Sequence, residues 1–414
     1  MTESLYSRTA LSTGAGAVPG PDELVARAIA LRPRLRELQD EHAALGSYNA
    51  EIHRAFTEAG LYNILRPSRY GGFEYGLDTF FRVAVEISRG DPGVGWSFVL
   101  GSGHTYQAAS YFPEKAQSEI FSADPFVAPS RAIPHGQAQR VDGGFILNGT
   151  WDYNSGCTWS THAMPVAPLA GGDGSQPELY MFVLPRPDYS ILGDWGGDRT
   201  IGLQASSSNS IRVENAFVPE HMAVAYDFKM HDWGDTGTEG FQLHGNPLYL
   251  GRSLFFFYAE LISTQVGTAW AALDEYQDLL KRGTSFPPRM PRTESPEYQR
   301  WYGKIMSLTE ASQTLLMGAV QLYTDLNRQW AEGGKEFTPQ DDARLRGIVQ
   351  QAAQLATKAV DLAFTTAGSS AARNGSRMQK YHRDASMYRT HIAAQFDAVY
   401  AATARFVLGG PLTT

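Results

Sequence analysis

A histidine set between two small residues, Gly103-His104-Thr105, interrupts the apolar segment that runs from Gly93 to Ala109. An imidazole whose free pKa is about 6.5 is the usual proton-transfer group near neutral pH, though it serves equally as a hydrogen-bonded core residue. A second place with chemical capacity is Ser155-Gly156-Cys157-Thr158, where hydroxyls and backbone N–H groups gather at the end of a strand pattern. Such a cluster could hold the polar edge of a flat heterocycle, or be an ordinary Ser/Gly turn. Cys157 is the single cysteine, so it is either a reactive thiol or a small buried residue. Other chemistries lack their residues. There is no His-Glu-x-x-His, cysteine pair or acidic calcium loop, no Gly-x-Ser-x-Gly elbow, and neither a Gly-x-Gly-x-x-Gly turn nor a P-loop.

The elements that must position these residues begin with the stretch Gly144–Gly156. There Phe145, Leu147, Gly149, Trp151 and Tyr153 alternate with Ile146, Asn148, Thr150, Asp152 and Asn154. Period two with aromatic and β-branched residues predicts a strand, and Asp142-Gly143 ahead of it predicts a hairpin turn. Further strand patterns occur at Glu178–Pro185 and, after the small-polar run Ala205-Ser206-Ser207-Ser208, at Ile211, Val213, Phe217 and Val218. Residues 125–228 therefore read as a β-domain.

Helical patterns flank it. Pro21–Leu45, Tyr48–Gly60 and Asp78–Arg89 carry apolar residues three and four apart, and Asp91-Pro92-Gly93 starts the next element. The glycines of 93–103 each cost a helix about 1 kcal/mol, so a packing or ligand reason is expected for them. After the β-domain, residues 229–251 read as an irregular loop holding His231 and His244. Long helices are then expected over Arg252–Leu280, from Ser295-Pro296-Glu297 to Trp330, from Thr338-Pro339 to Thr366, and from His382 to Leu408, with a Gly/Ser/Asn-rich break between Ala367 and Lys380. The expected fold is mainly α with a middle β-domain. A flexible lead (1–20) precedes an N-terminal helical domain (21–124), a central β-barrel or sandwich (125–228), the loop (229–251) and a C-terminal four-helix bundle (252–414).

Composition narrows the class. The 414 residues are 43% hydrophobic and 12% aromatic, a globular balance that suits a large core or a flat apolar ligand. A net charge of -8 without a basic run argues against a nucleic-acid partner. No apolar run approaches the roughly 20 residues of a membrane span, and the first twenty residues lack a secretion signal. With one cysteine, a reducing cytoplasm is expected.

Several separated segments, in order, resemble the acyl-CoA dehydrogenase superfamily over about residues 25–410. They are Pro67-Ser68-Arg69-Tyr70-Gly71-Gly72, Leu147-Asn148-Gly149-Thr150-Trp151 followed by Ser155-Gly156, Gly202–Ser208 with Val213 and Val218-Pro219, Thr366-Ala367-Gly368-Ser369, and Arg383-Asp384-Ala385. Dehydrogenases of that family commonly carry a glutamate soon after the Arg-Asp-Ala motif. Here His391 stands in that region, as it does in the flavin-dependent monooxygenases of the same fold, and Trp151–Ser160 is similar to their W-x-x-x-S-G-C segment.

The resemblance implies the oxygenase component of a two-component system. It would take reduced FMN, or alternatively FAD, from a separate flavin reductase, and use O2 through a C4a-hydroperoxyflavin to hydroxylate an aromatic or other electron-rich small molecule. N- or S-oxygenation would use the same chemistry, and a homotetramer is implied. Ser155 would bond flavin N5, His104 would polarise or deprotonate substrate, and His391 would stabilise the peroxide. Trp151, Cys157, Arg252, Ser206 and Gly368 would help to hold the flavin. Trp96, Trp159 and Tyr388 would form an aromatic wall for substrate. Two other readings stay open: an acyl-CoA dehydrogenase-like oxidoreductase, with Glu260 as the one available base, and a flavin-free protein that kept the fold.

Overall fold

In the computed structural model, which describes residues 18–131, 133–170, 177–226 and 237–411, the first described elements are helices. They are α1 (Pro21–Glu37), α2 (Gln39–Leu45), α3 (Ala50–Glu58), α4 (Leu77–Gly90), α5 (Pro92–Ser102), α6 (Thr105–Tyr111) and α7 (Glu114–Ile120). The helix expected over Pro21–Leu45 is split at Leu38 and ends at Gly46, whose left-handed backbone stops it. Asp91 caps α5 by accepting from the Gly93 N–H, and Pro92 fills the first helical position, where no N–H is needed. Nearly every residue of α5 is buried, because the helix lies between α4, α9 and the β-domain.

The middle strands are β1 (Ser130–Arg131), β2 (Gln137–Val141), β3 (Gly144–Trp151), β4 (His162–Pro168), β5 (Leu179–Phe182), β6 (Leu184–Pro185), β7 (Ser190–Ile191), β8 (Ile211–Pro219) and β9 (Ala223–Ala225). One sheet has the order β2-β3-β8-β7 and the other β1-β4-β5-β9, with β6 also on β4. Of the two forms expected, this is the sandwich. Phe145, Leu147 and Trp151 from one sheet meet Ala163, Ala167 and Phe182 from the other in a shared core. The hairpin turns at Asp142-Gly143 as expected. The strand is shorter than its alternation suggested. It ends at Trp151, and Tyr153, which is 57% exposed, takes a left-handed φ of 56°.

The last third contains α8 (Glu239–His244), α9 (Leu254–Arg282), a small hairpin of β10 (Thr284–Ser285) and β11 (Met290–Pro291), then α10 (Pro296–Ala331), α11 (Pro339–Thr366), α12 (Arg377–Arg389) and α13 (Phe396–Val407). Helices α9, α10, α11 and α12 make the bundle, and α9 also packs on α4 and α5. Two expectations are corrected. The segment 229–251 is not irregular throughout: Thr238 caps the six-residue α8, Gly245 ends it, and Pro247–Leu250 adds a turn of 3-10 helix. His231 and residues 227–236 lie outside the described residues, as do residues 1–17 of the expected lead. The helix expected over His382–Leu408 is two helices, α12 and α13, separated at Thr390–Gln395. Among the described residues no helix is long and apolar enough to cross a membrane.

Candidate active site

Beyond the end of β3 the backbone turns toward α5. At Gly156 a Cβ would stand 2.7 Å from the Ser97 carbonyl oxygen and 2.9 Å from the Gly101 Cα, and φ is +86°, so only glycine allows this approach. The approach brings Ser155 to Trp96. The indole Nε1–H donates to Ser155 Oγ at 3.0 Å, in a buried position. The same Trp96 ring meets Tyr388 at 6.3 Å and His391 at 5.9 Å between centroids, edge to face in both cases. One indole from the N-terminal helices thus joins a hydroxyl of the β-domain to two side chains from the end of the bundle.

Behind Ser155 lies a chain of hydroxyls. Ser155 Oγ is 2.7 Å from Ser208 Oγ, which is 2.6 Å from Ser206 Oγ. The loop carrying these serines cradles the strand end: Asn154 N–H donates to the Asn209 carbonyl, Gly156 N–H to the Ser206 carbonyl, and Thr158 N–H to Ser207 Oγ. Tyr153, Leu203 and Ser207 all hold positive φ without being glycine, a conformation that costs on the order of 1 kcal/mol each and that tends to gather at functional sites.

His391 sits at the break between α12 and α13 in an extended conformation, and its Nδ1 accepts from the Ala393 N–H at 3.1 Å. A ring nitrogen that accepts carries no proton, so the neutral ring is protonated at Nε2. Burial lowers the His391 pKa to about 4, which keeps the ring neutral at pH 7. His104 is the mirror case. It follows the last turn of α5, and its Nδ1 is 2.8 Å from the carbonyl oxygen of Ala128. A carbonyl can only accept, so Nδ1 carries the proton and Nε2 is the bare, accepting nitrogen. Burial lowers this pKa to about 4 as well, against the opposing effect of the Ala128 and Leu100 carbonyls.

His104 lies on the same seam as Ser155, because the Ala128 N–H donates to the Gly101 carbonyl at 2.7 Å and Gly101 abuts Gly156. Among the described residues no contact joins His104 directly to Ser155 or His391.

Several buried polar atoms around this seam have no hydrogen-bond partner: Ser97 Oγ, the Tyr388 hydroxyl, the Gln107 side-chain amide and both carboxyl oxygens of Glu260. Buried polar groups are almost always paired, so these call for a polar ligand or ordered water. Glu260, on α9, lies so near Gly103 that a Cβ there would stand 2.1 Å from its Oε1, and burial raises its pKa well above the usual carboxylate range. Neutral hydroxyls, an indole, a phenol and an imidazole N–H fit an uncharged aromatic heterocycle with a nitrogen- and oxygen-bearing edge, which describes the ring of a flavin.

Other residues singled out by sequence lie elsewhere. Trp151 is a core residue of the sandwich, with its Nε1–H on the Val166 carbonyl. Cys157 is fully buried with Sγ 3.2 Å from the Ser207 carbonyl, and burial raises its pKa, which makes it packing rather than a reactive thiol. Trp159 stacks on His53 at 4.4 Å and bonds the Tyr48 carbonyl, so it fastens the β-domain to α3. Arg252 is buried at the foot of α9, with Nε on the Phe337 carbonyl at 3.0 Å and Asp342 nearby. Gly368 is exposed at the end of α11 beside Arg292. The Ser206 hydroxyl reaches Ser155 through Ser208. Sequence reasoning passed over Ser208, whose signal was the hydroxyl two residues beyond Ser206 in the small-polar run.

Comparison with known proteins identifies the family and the fold. A family model described as the N-terminal domain of acyl-CoA dehydrogenase matches residues 24–121, and one described as its C-terminal domain matches residues 261–396, together more than half of the chain. A pigment production hydroxylase of a Rhodococcus species is 29% identical over 401 residues, covering 94% of this chain and 97% of that protein. The oxygenase subunit HsaA of a flavin-dependent monooxygenase from Rhodococcus jostii is 25% identical, over 93% of this chain and 98% of its own. The crystal structure of 3-HSA hydroxylase from Rhodococcus sp. RHA1 superposes with a TM-score of 0.83 at 26% identity, over 95% of this chain and 98% of that one.

Proposed function

The chain belongs to the acyl-CoA dehydrogenase superfamily, and from that premise we propose that it is the oxygenase component of a two-component flavin-dependent monooxygenase. It takes reduced flavin, in our reading FMN, from a separate reductase, and with O2 it hydroxylates an aromatic or other electron-rich small molecule. When bound, the reduced flavin supplies the electrons that activate oxygen. A homotetramer is the assembly we expect. The observation that carries the reading is the meeting of Ser155 and His391 on one buried indole.

The residues have distinct parts. Ser155 has one proton and two lone pairs. If Ser206 donates to Ser208 and Ser208 to Ser155, both lone pairs of Ser155 are filled, by Ser208 and by Trp96, and its own O–H must point outward as a donor. His391 offers an N–H on its outward nitrogen, and His104 offers a lone pair. A site with one fixed donor and one fixed acceptor can hold a proton at one place and take it from another without either ring being charged at pH 7. Trp96 and Tyr388 exclude water, which matters because a reactive oxygen species is lost as peroxide in a wet site. The dehydrogenase reading is less well served: Glu260 is held protonated by burial, and a proton-abstracting base has to start ionised.

Anaerobic titration with reduced FMN, followed by oxygen with and without a phenol, tests the proposal. We expect tight binding of reduced flavin, weak binding of oxidised flavin, and oxygenated product. Tight oxidised FAD with oxidation of an acyl-CoA would replace it with the dehydrogenase, and absence of any flavin binding would leave a scaffold.

A further inference from the structure

A buried ionic group touches α5, α12 and the loop that carries Ser206 and Ser208. Lys380 Nζ, on α12, is 2.8 Å from Asp384 Oδ2 and 3.0 Å from Asp91 Oδ1, and all three residues are under a tenth exposed. Asp91 caps α5, the helix of Trp96. Asp384 Oδ1 accepts from the Leu203 N–H at 2.7 Å, at the head of the loop that presents Ser206 and Ser208. Lys380, Asp384 and Tyr388 follow one another at four-residue spacing on α12, and His391 comes three residues later at its end. The side chains of Lys380 and Asp384 therefore share a stripe with Tyr388. His42 on α2 is a further polar neighbour, with Nδ1 3.6 Å from Asp91 Oδ2.

We propose that Lys380, Asp384 and Asp91 form a positioning device that fixes the register of α5, the Leu203–Asn209 loop and α12, and so holds Trp96, Ser155 and His391 in one arrangement. This inference rests on the proposed function for its catalytic meaning but not for its geometry. The energetic logic is that a buried ammonium has few acceptable positions. Moving any one element by an ångström or more strips a charge of its partner in a low dielectric, which is far more costly than sliding an apolar contact. Burial alone would lower the Lys380 pKa, but the two carboxylates outweigh it and hold the pKa above the ordinary value, so the charge persists. The device also helps to explain why Leu203 keeps a left-handed backbone without glycine, since its N–H is fixed by the Asp384 carboxylate. These residues are positioning residues, because none of them touches the cluster around Trp96.

Hydrogen exchange on the flavin-free protein tests this directly. In Asp384→Ala we expect the amides of residues 203–209 and 154–158 to exchange about tenfold faster than in wild type. In Asp384→Asn, whose Oδ1 can still accept from Leu203, we expect about threefold or less. Asp342→Asn, which weakens the buried carboxylate that accepts from the Leu254 and Phe255 N–H groups at the start of α9, is the control for general destabilisation and should leave these amides within about twofold. In the protein loaded with reduced FMN, Asp384→Ala should return to the oxidised flavin spectrum about tenfold faster on mixing with oxygen. Unchanged exchange at 203–209 in folded Asp384→Ala overturns the inference. Should that variant fail to fold, Lys380→Arg decides: its longer, planar group should speed the same amides about threefold, and no change there overturns it equally. If wild type binds no reduced flavin, the proposed function fails while the exchange data still judge the device.

Discussion

The two corners that carry His104 and His391 use one side chain to opposite ends. Both rings are buried, and both are pushed from the ordinary histidine value down to about 4. What differs is the backbone group opposite Nδ1. At His104 it is the carbonyl of Ala128, so the ring must donate inward and accept outward. At His391 it is the N–H of Ala393, so the ring must accept inward and donate outward. The carbonyl belongs to the chain entering β1 and the N–H to a short turn between two helices. Chemical polarity at the site is therefore decided by which secondary-structure ending each histidine is pinned against, and burial only ensures that neither ring is charged.

The largest effects should come from breaking the donor corner. In His391→Ala we expect product formation to fall by about a hundredfold, with flavin reduction equivalents appearing as hydrogen peroxide while reduced-flavin affinity stays near wild type. His391→Asn separates two roles. Its side-chain oxygen can keep accepting from Ala393, so thermal stability should stay close to wild type, whereas His391→Ala loses the cap and about 1 kcal/mol. Product should be lost in both. An Asn variant that couples normally would reduce His391 to a cap. At the acceptor corner, His104→Gln should lower kcat/KM for a phenol by about tenfold or more without raising peroxide release in the absence of substrate. Equal uncoupling in the two variants would erase the contrast.

Acidity provides a milder test, and its sign follows from the tautomers being neutral. Above pH 6.5 the rings are uncharged whether the chain is folded or not. Between about 6.5 and 4 the unfolded chain takes up protons that the buried rings refuse, so stability must fall as pH falls through this window. His104 alone accounts for about 2–3 kcal/mol of that loss, and His162, also lowered to about 4 by burial, adds to it. Denaturant titrations of His104→Gln between pH 7 and 4 should show a shallower slope than wild type. Glu260 has the opposite sign. Burial keeps its proton in the folded state, so its contribution is lost as pH rises above the free carboxyl value of 4.5. Glu260→Gln should therefore be stabilised relative to wild type at pH 8 and not at pH 4. A gain at both pH values would mean repacking rather than removal of a buried acid.

Much of this arrangement could be read from sequence because local chemistry dictated it. Thr338-Pro339 with Asp341 forms the capping box that starts α11, and the Asp142-Gly143 turn precedes a strand whose Phe145, Leu147 and Trp151 face inward. Ser155, Trp96, Tyr388 and His391 do come together. The roles that the family resemblance implied for other residues near Ser155 depend on side-chain direction, which a motif does not carry. Trp151, Cys157 and Trp159 surround Ser155 in sequence, but the strand end and the 3-10 turn Cys157–Trp159 turn their side chains into the sandwich core or toward α3. The break after α12 has no glycine or proline to announce it, since His391 itself stabilises it through a side-chain bond to backbone. Lys380 and Asp91 are 289 positions apart, and no local pattern links them.

The smallest effect should fall on Ser208, and its sign tells whether the hydroxyl chain has a direction. Ser155→Ala removes the outward donor and should uncouple nearly as strongly as His391→Ala. Ser208→Ala leaves that donor in place and removes only what forces it outward. With Ser208 gone, Ser155 Oγ still accepts from the Trp96 N–H and has no competing hydroxyl to donate to, so its proton should still find a flavin acceptor most of the time. The expected loss of coupling is about twofold to fourfold, corresponding to about 0.5–1 kcal/mol for one neutral hydrogen bond. If the chain ran the other way, with Ser155 donating to Ser208, the same variant would free the Ser155 proton and improve coupling. The sign of the change in peroxide released per product therefore assigns the orientation of hydroxyl hydrogens, and a Ser208→Ala protein as uncoupled as Ser155→Ala would show that Ser208, rather than Ser155, is the group that meets the ligand.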